Sequence, residues 1–298
     1  MRTAASPTVS VGLPVFNGER YLPSAVDSIL GQTYEDLEVI ISDNGSSDAT
    51  LEIAREYARR DPRVRVVHVD DNRGAMWNFN EVFRQARSPF FKPACHDDLH
   101  EPTFIERCME VYREAPVEVG LVYPRTLLID AEGEVIGPYE DGLDLRQREP
   151  AARLRQLLHT VRMVNPLFGV HRTQVFGSTR LFQSFVSSDV ILLAELAMRA
   201  QFWEIEDRRF LRRDHSGRSE RAHASIGELA TWYDPSQRSA IRGRLVRQFR
   251  GLLSAAVHAP LGSADRVRCL GVVLRDWGWR WKRPMAQELL ATVRRTGA

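Results

Sequence analysis

The chain of 298 residues is long enough for one large domain, or for one domain with an appendage. With 43% hydrophobic residues, 27% charged residues and a net charge of +2, its composition excludes a disordered or fibrous protein. The three cysteines have neither disulfide nor zinc spacing, which predicts a reducing compartment. Because no apolar run reaches about 18 residues and the first residues lack an apolar core, we expect a cytoplasmic protein without a spanning helix or signal peptide.

The first hundred residues alternate between strand and helix patterns. Apolar segments predict strands at 8–16, 37–42, 64–69 and 90–94, and amphipathic segments predict helices at 21–30, from about 48 to 60 and at 74–87. Such alternation favours an α/β fold with a mainly parallel sheet flanked by helices.

The pattern after residue 100 is looser. Helices are predicted at 101–114, 150–161 and 189–199, a hairpin at 119–129 and 134–136, and two late strands at 203–205 and 208–212. Further helices are predicted at 239–257, 263–283 and 284–295. We therefore expect a first domain over residues 1–225 and a helical extension over residues 226–298.

The C-terminal tail is strongly basic. Residues 238–298 carry 13 Lys and Arg against 3 Asp and Glu, a local charge of +10, which leaves −8 for the rest of the chain. Two interpretations stay open: helices that pack on the first domain or on a second copy as a homodimer, and peripheral contact with the inner face of an anionic membrane. Nucleic-acid binding is disfavoured, because the acidic body would repel phosphate.

Polar side chains follow three of the predicted strands. Glu19 comes after the first strand, Asp43 ends the second, and Asp97 and Asp98 follow the fourth. The carboxyl ends of parallel strands meet at one edge of a sheet, where α/β enzymes bind their ligands. Mg²⁺ and Mn²⁺ are held there by one or two carboxylates together with substrate phosphates. The sequence contains neither the glycine-rich dinucleotide-binding motif nor a Walker A motif. A dinucleotide-binding protein and a P-loop nucleoside triphosphatase therefore lack support.

Several ordered motifs resemble one enzyme family. The segments 9–22, 28–34 and 37–48, followed by 72–74 and 97–102, are similar to the family 2 glycosyltransferases of the GT-A, Rossmann-like fold. The resemblance covers residues 8–220. It implies inverting transfer of a sugar from a nucleotide-diphosphate donor, a UDP-sugar first and a dTDP-sugar second, to a hydroxyl acceptor. It also implies a donor half over 1–105 and an acceptor half over 106–225. The acceptor class stays open between a glycan, a lipid-linked acceptor and a small molecule.

The resemblance also implies roles for individual residues. The residues expected to bind the nucleotide-sugar are Pro14, Phe16, Glu19, Asp43, Arg73 and Asp97, and those expected on the acceptor side are Asn165 and Gly169. Asp97 is expected to hold Mg²⁺ or Mn²⁺, and His215 to complete the metal shell or bond the leaving phosphate. Cys95 stands where the family commonly has a first carboxylate, and a thiolate is a poor partner for a hard cation.

Asp189 matches the family's late aspartate at the start of a helix, which implies the role of catalytic base. The alternative is that Asp189 only caps the helix.

Two other functions are alternatives to a transferase. A nucleotidyltransferase would carry a glycine-rich basic loop after the first strand, which the sequence lacks. A non-catalytic sugar-nucleotide-binding or assembly protein would have lost its metal site at Cys95.

Overall fold

The computed structural model describes residues 7–217, 226–235 and 243–296. The strands are β1 Val9–Val15, β2 Leu37–Asn44, β3 Val64–Val69, β4 Phe90–Pro93, β5 Leu99–His100, β6 Val119–Ile129, β7 Val135–Tyr139, β8 Val170–Arg172 and β9 Gln201–Arg213. The helices are α1 Leu22–Leu30, α2 Thr50–Arg60, α3 Ala75–Gln85, α4 Phe104–Glu114, α5 Pro150–Thr160, α6 Thr173–Gly177, α7 Ser188–Arg199, α8 Ile226–Tyr233, α9 Arg244–His258, α10 Ser263–Val272 and α11 Trp279–Thr296. A 3₁₀ turn spans Asn165–Phe168, and a π-helical segment spans Val273–Gly278.

One curled sheet runs through the first domain in the order β3-β2-β1-β4-β8-β6-β9-β5, with β7 paired to β6. Parallel pairing joins β3, β2, β1 and β4, and it also joins β6 to β9. The pairs that involve β8, β7 and β5 are antiparallel. The predicted α/β fold is confirmed, and the sheet is mixed because the chain reverses direction where the second half joins β4.

The predicted elements of the first hundred residues are all present, and the differences come later. The two late strands at 203–205 and 208–212 form one continuous strand, β9. The predicted helix at 263–283 is interrupted by the π-helical segment. The start of the helix predicted at 239–257 lies outside the described residues, where α9 begins at Arg244. The short strands β5 and β8 have too few residues to show a periodic pattern.

The buried core forms two layers on the two faces of the sheet. Every residue of β1 and β2 is buried, as expected for central strands covered by helices on both faces. On one face the extension shares a hydrophobic core with the first domain: Leu252 and Ala256 of α9 and Trp277 lie in the same cluster as Leu192 and Leu196 of α7. Among the described residues, no helix combines the length and apolarity needed to cross a bilayer.

Glycines mark the closest contacts of the extension with the body. Gly74, just before α3, has φ +90°, and a Cβ atom there would lie 2.5 Å from the carbonyl oxygen of Tyr233 in α8. On α9, a Cβ atom at Gly251 would lie 2.2 Å from Cδ1 of Ile191 in α7. Helices α8 and α9 are therefore seated directly against α3 and α7.

Candidate functional site

A cavity of about 510 Å³ lies at the carboxyl ends of the central strands. Pro14 and Phe16 line it at the end of β1, Asn44 at the end of β2, and the segment 95–98 after β4. This is the edge at which parallel α/β sheets bind ligands. The start of α7, the end of β9 and residues of α8 and α9 also line the cavity.

The centre of the site is a contact between Asp97 and His215. Nε2 of His215 lies 3.0 Å from Oδ2 of Asp97, and both residues line the cavity. Burial opposes ionisation of Asp97, but the hydrogen bond with His215 and the nearby charge of His96 outweigh burial, so the pKa of Asp97 falls to about 2. Asp97 therefore presents an ionised carboxylate to the cavity at neutral pH.

Cys95, Asp97 and Asp98 form a cluster whose potential ligand atoms all lie within 4.8 Å of one another. Burial, with the adjacent charges of Asp98 and Asp97, raises the pKa of the Cys95 thiol well above its usual range, so Cys95 stays neutral. Oδ1 of Asp98 accepts a hydrogen bond of 2.9 Å from the backbone N–H of Arg213. The two carboxylates of the cluster offer the hard oxygen ligands that suit Mg²⁺ or Mn²⁺ completed by substrate phosphate and water.

Asp43 is fully buried at the end of β2, next to Asn44, which lines the cavity. Its Oδ2 atom lies 2.8 Å from Nδ1 of His68, whereas its Oδ1 atom has no hydrogen-bond partner among the residues that the structure describes. A buried carboxylate oxygen without a donor is costly, because it has lost its water without replacement. The unsatisfied oxygen therefore marks a place where a ligand N–H could bind.

Asn44 was not singled out from the sequence, yet it organises this corner of the cavity. Its side chain donates to Oδ1 of Asn72 at 2.9 Å and accepts from the backbone N–H of Arg73 at 3.1 Å. The guanidinium of Arg73 lies over the ring of Trp77, 4.8 Å from the centroid. The loop before α3 is therefore fixed to the end of β2. The sequence signal was an asparagine beside Asp43 at a strand end.

Three predicted site residues have clear structural roles outside the cavity lining. The carboxylate of Glu19 accepts a hydrogen bond of 2.9 Å from the backbone N–H of Ala49 at the start of α2. Asn165 accepts a hydrogen bond from the guanidinium of Arg212, and Arg212 itself lines the cavity. Gly169 packs against β6, where a Cβ atom would lie 2.6 Å from the carbonyl oxygen of Val122.

Asp189 lines the cavity from the first turn of α7. Its Oδ1 atom accepts a hydrogen bond of 2.8 Å from the backbone N–H of Val190. Ser187, which lies just before the first residue of α7, has φ +73°, a left-handed conformation that is rare for residues other than glycine. Ser187, Asp189 and Val190 of this turn all line the cavity.

The extension supplies a wall that sequence reasoning missed. Trp232 and Tyr233 of α8 and Arg244 of α9 line the cavity, and Nη2 of Arg244 lies 3.0 Å from Oγ of Ser187. Arg162, after α5, also lines it. The sequence shows Arg244 only as one basic residue of an amphipathic helix, because the side of the helix that meets the body depends on packing.

Comparison with known sequences identifies the family. The sequence profile of Glycosyl transferase family 2 matches residues 10–161, just over half of the chain. The chondroitin synthase of Escherichia coli is 36% identical over 130 residues, and the putative glycosyltransferase EpsH of Bacillus subtilis is 36% identical over 117 residues. These matches cover 44% and 39% of this chain but only 19% and 33% of the relatives, so this chain matches a third or less of either relative's length.

Solved structures show the same fold. S. aureus TarS 1–349 in complex with UDP-GlcNAc has a TM-score of 0.65 at 16% identity, over 90% of this chain and 71% of that one. The mannosyltransferase PcManGT from Pyrobaculum calidifontis, in complex with GDP-Man and Mn²⁺, has a TM-score of 0.53 at 16% identity, over 99% of this chain and 77% of that one. The likeness establishes a GT-A fold, and the sequence profile establishes the membership: the chain belongs to glycosyl transferase family 2.

Proposed function

We propose that the protein is an inverting glycosyltransferase that moves a sugar from a nucleotide-diphosphate donor to a hydroxyl acceptor. The observation that carries the proposal is one cavity lined by Asp97, His215 and Asp189. Direct displacement at the anomeric carbon needs groups that hold the leaving diphosphate and a base that takes the acceptor's proton. Asp97 with His215 is suited to the first task, and Asp189 to the second.

For the donor we propose a UDP-sugar first and a dTDP-sugar second. The unpartnered Oδ1 of Asp43 is an acceptor, and uracil and thymine both carry an N–H that could donate to it. Pro14 and Phe16 would border the base and ribose, while Arg73 would contact the nucleotide from the loop before α3. Glu19 would act by fixing the start of α2. The complex of TarS with UDP-GlcNAc supports a UDP donor carrying a hexose-type sugar.

Asp97 is the residue that would hold Mg²⁺ or Mn²⁺, with Asp98 and His215 beside it. When bound, such a cation neutralises charge that develops on the leaving nucleoside diphosphate. Arg212, held by Asn165 at the cavity edge, adds a fixed positive charge of this chain. The PcManGT complex with Mn²⁺ supports a divalent metal in this fold.

We assign the catalytic base to Asp189. Its place in the first turn of α7 favours the ionised carboxylate, because the amino end of a helix is electropositive. The acceptor oxygen attacks the anomeric carbon, the bond from that carbon to the diphosphate oxygen breaks, and the acceptor's proton passes to Asp189. The configuration at the anomeric carbon is inverted by this single displacement.

For the whole chain, we propose a cytoplasmic enzyme with the donor half at residues 1–105 and the acceptor half at 106–225. Residues 226–298 would be the C-terminal extension, and its residues Trp232, Tyr233 and Arg244, which line the cavity, would border the acceptor. The acceptor would be a glycan, a lipid-linked acceptor or a small molecule with a free hydroxyl.

The test is donor hydrolysis by the whole chain with a panel of UDP-, dTDP- and GDP-sugars, with and without Mn²⁺. We expect Mn²⁺-dependent release of UDP that Asp97→Asn abolishes and that Asp71→Asn, an exposed carboxylate outside the cavity, leaves unchanged. A rate unaffected by Asp97→Asn would refute the metal assignment. Release of pyrophosphate from a nucleoside triphosphate and a sugar phosphate would indicate a nucleotidyltransferase. Donor binding without turnover would indicate a non-catalytic protein.

A further inference from the structure

We propose that the outward face of α11, with the adjoining π-helical segment, docks on an anionic membrane surface. The membrane patch is defined by the exposed apolar residues Leu274, Trp279, Leu289 and Leu290 and the exposed cations Arg275, Lys282 and Arg283. The proposal adds a lipid-binding surface to the transferase and stands on observations separate from the cavity.

Exposed apolar area is concentrated here. Among the described residues, eleven large hydrophobic side chains are exposed, and five of them lie between residues 274 and 290. Trp279 is 69% exposed, and Leu289 and Leu290 are 51% and 59% exposed. Exposed hydrophobic residues scattered singly need no explanation, but a group concentrated on two adjoining helical segments marks a candidate interaction site.

The spacing along α11 places these side chains on one side of the helix. Taking Trp279 as the first position, Lys282 and Arg283 follow three and four residues later, and Leu289 and Leu290 follow ten and eleven residues later. Residues at these intervals share one helix face. The opposite side of the segment is occupied, because Trp277 is buried and stacks on Phe249 of α9 with ring centroids 5.7 Å apart.

The acidic side chains of this segment bind groups of the protein itself, whereas three of its basic side chains are exposed. Its two carboxylates are used internally: Asp276 lies 3.2 Å from Arg155 and 3.3 Å from His159, and Glu288 accepts a hydrogen bond from the backbone N–H of Leu245. Arg275, Lys282 and Arg283 have no carboxylate partner among the described residues. The outward face is therefore purely cationic, which matches an anionic surface and not a neutral one.

The contact between Trp279 and Lys282 also fits an anionic membrane surface as the partner. Nζ of Lys282 lies 2.9 Å from the centroid of the Trp279 ring, and both side chains are exposed. Tryptophan prefers the headgroup level of a bilayer, where its ring is half in contact with the acyl chains, and lysine beside it reaches the phosphates. An amphipathic helix that combines tryptophan, leucine and basic residues in this way lies in the plane of the interface.

The experiment is flotation of the whole chain with vesicles of phosphatidylcholine, with and without phosphatidylglycerol, at low and high salt. We expect binding only to the anionic vesicles, weakened by salt, with a blue shift of tryptophan fluorescence. Lys282→Gln/Arg283→Gln should weaken binding about 25-fold, from about fivefold per charge. The matched control Arg59→Gln/Arg60→Gln removes two exposed cations from α2 and should leave binding unchanged.

Trp279→Ser should also weaken binding, whereas Val117→Ser, at a position 75% exposed and away from the patch, should not. All variants change exposed side chains, and their thermal melting in the absence of lipid checks that they fold. The proposal is overturned if the wild-type chain fails to float with anionic vesicles, or if the α2 control weakens binding as much as the patch variant. It is equally overturned if light scattering shows a dimer that Trp279→Ser dissociates while vesicles bind neither form.

Discussion

Nε2 of His215 lies 3.0 Å from Oδ2 of Asp97, although the two residues are 118 positions apart in the chain. The contact forms because the end of β9 reaches the loop after β4. His215 thereby fixes the orientation of the carboxylate that we assign to the metal.

We expect His215→Ala to lower kcat/KM and the apparent affinity for Mn²⁺ about 10- to 100-fold, as is typical for a group that orients a ligand. Mn²⁺ activation curves measure this, with the exposed His258→Ala as control. Identical activation curves for His215→Ala and the wild type would contradict the assignment.

Asp189→Asn separates catalysis from helix capping. If Asp189 is the base, kcat should fall roughly 10²- to 10⁴-fold while donor affinity is kept. If it only supports the start of α7, stability should drop slightly and kcat should not change. Glu52→Gln is the matched control, because Glu52 is an exposed acid in the first turn of α2, away from the cavity. Transfer kinetics and nucleotide titrations on both variants decide between the two roles.

Asp43→Asn should weaken binding of UDP roughly tenfold or more, because an amide offers a nearly isosteric replacement that removes the charge from the acceptor oxygen. The matched control is Asp70→Asn: Asp70 lies 3.4 Å from the other ring nitrogen of His68, but its carboxylate is fully exposed. Calorimetric titration of UDP into each variant measures the difference. Equal affinities in both variants would show that the buried oxygen of Asp43 does not contact the nucleotide.

Lys92 is buried beneath the site and gives stability a predictable pH dependence. Burial lowers the pKa of Lys92 to about 7 from its usual value of 10.5. Its Nζ atom lies 2.9 Å from Nε2 of His100 and 3.0 Å from the carbonyl oxygen of Phe168. Between pH 7 and 10.5 the unfolded chain binds the extra proton, so this group makes stability rise with pH by at most about 1.4 kcal/mol per pH unit. Below pH 7 the cost of charging Lys92 is fully present and constant.

Lys92→Met should therefore flatten the stability profile above pH 7. Urea unfolding at a series of pH values measures the slope. The control is Lys282→Met, since Lys282 is the chain's other lysine and is exposed on α11. If the Lys92→Met and wild-type slopes are the same, Lys92 keeps an ordinary pKa in the folded protein.

Gly74→Ala tests whether the extension must sit against α3 for activity. At φ +90° an alanine is strained, and its Cβ atom would meet the carbonyl oxygen of Tyr233 at 2.5 Å. We expect a loss of about 1–3 kcal/mol in unfolding free energy and reduced transfer, because Tyr233 lines the cavity. Gly137→Ala is the control, since a Cβ atom there has no neighbour within 4 Å. Wild-type activity and stability in Gly74→Ala would show that α8 need not be held in this place.

The strands and helices of the first hundred residues could be predicted from the sequence because their signals are local. A strand such as β1 is a mostly apolar run of residues. The helices between the strands repeat their apolar residues with the 3.6-residue period of an amphipathic helix. The polar residues at the strand ends then follow from topology, since parallel strands bring their carboxyl ends to one edge. The strand-end argument and the family resemblance predicted Asp97, and the resemblance alone predicted Asp189; both residues line the cavity, and their roles stay predictions.

Other features depend on contacts that no local pattern contains. The neutral state of Cys95 follows from its burial beside two carboxylates. The cavity wall formed by Trp232 and Arg244 depends on which side of α8 and α9 faces the body. The sequence by itself determined the elements, the order of the motifs and the basic character of the tail, because these are properties of neighbouring residues. The tertiary structure alone decided which distant side chains meet and which face of the tail stays exposed, because packing selects one arrangement among many that the same local patterns allow.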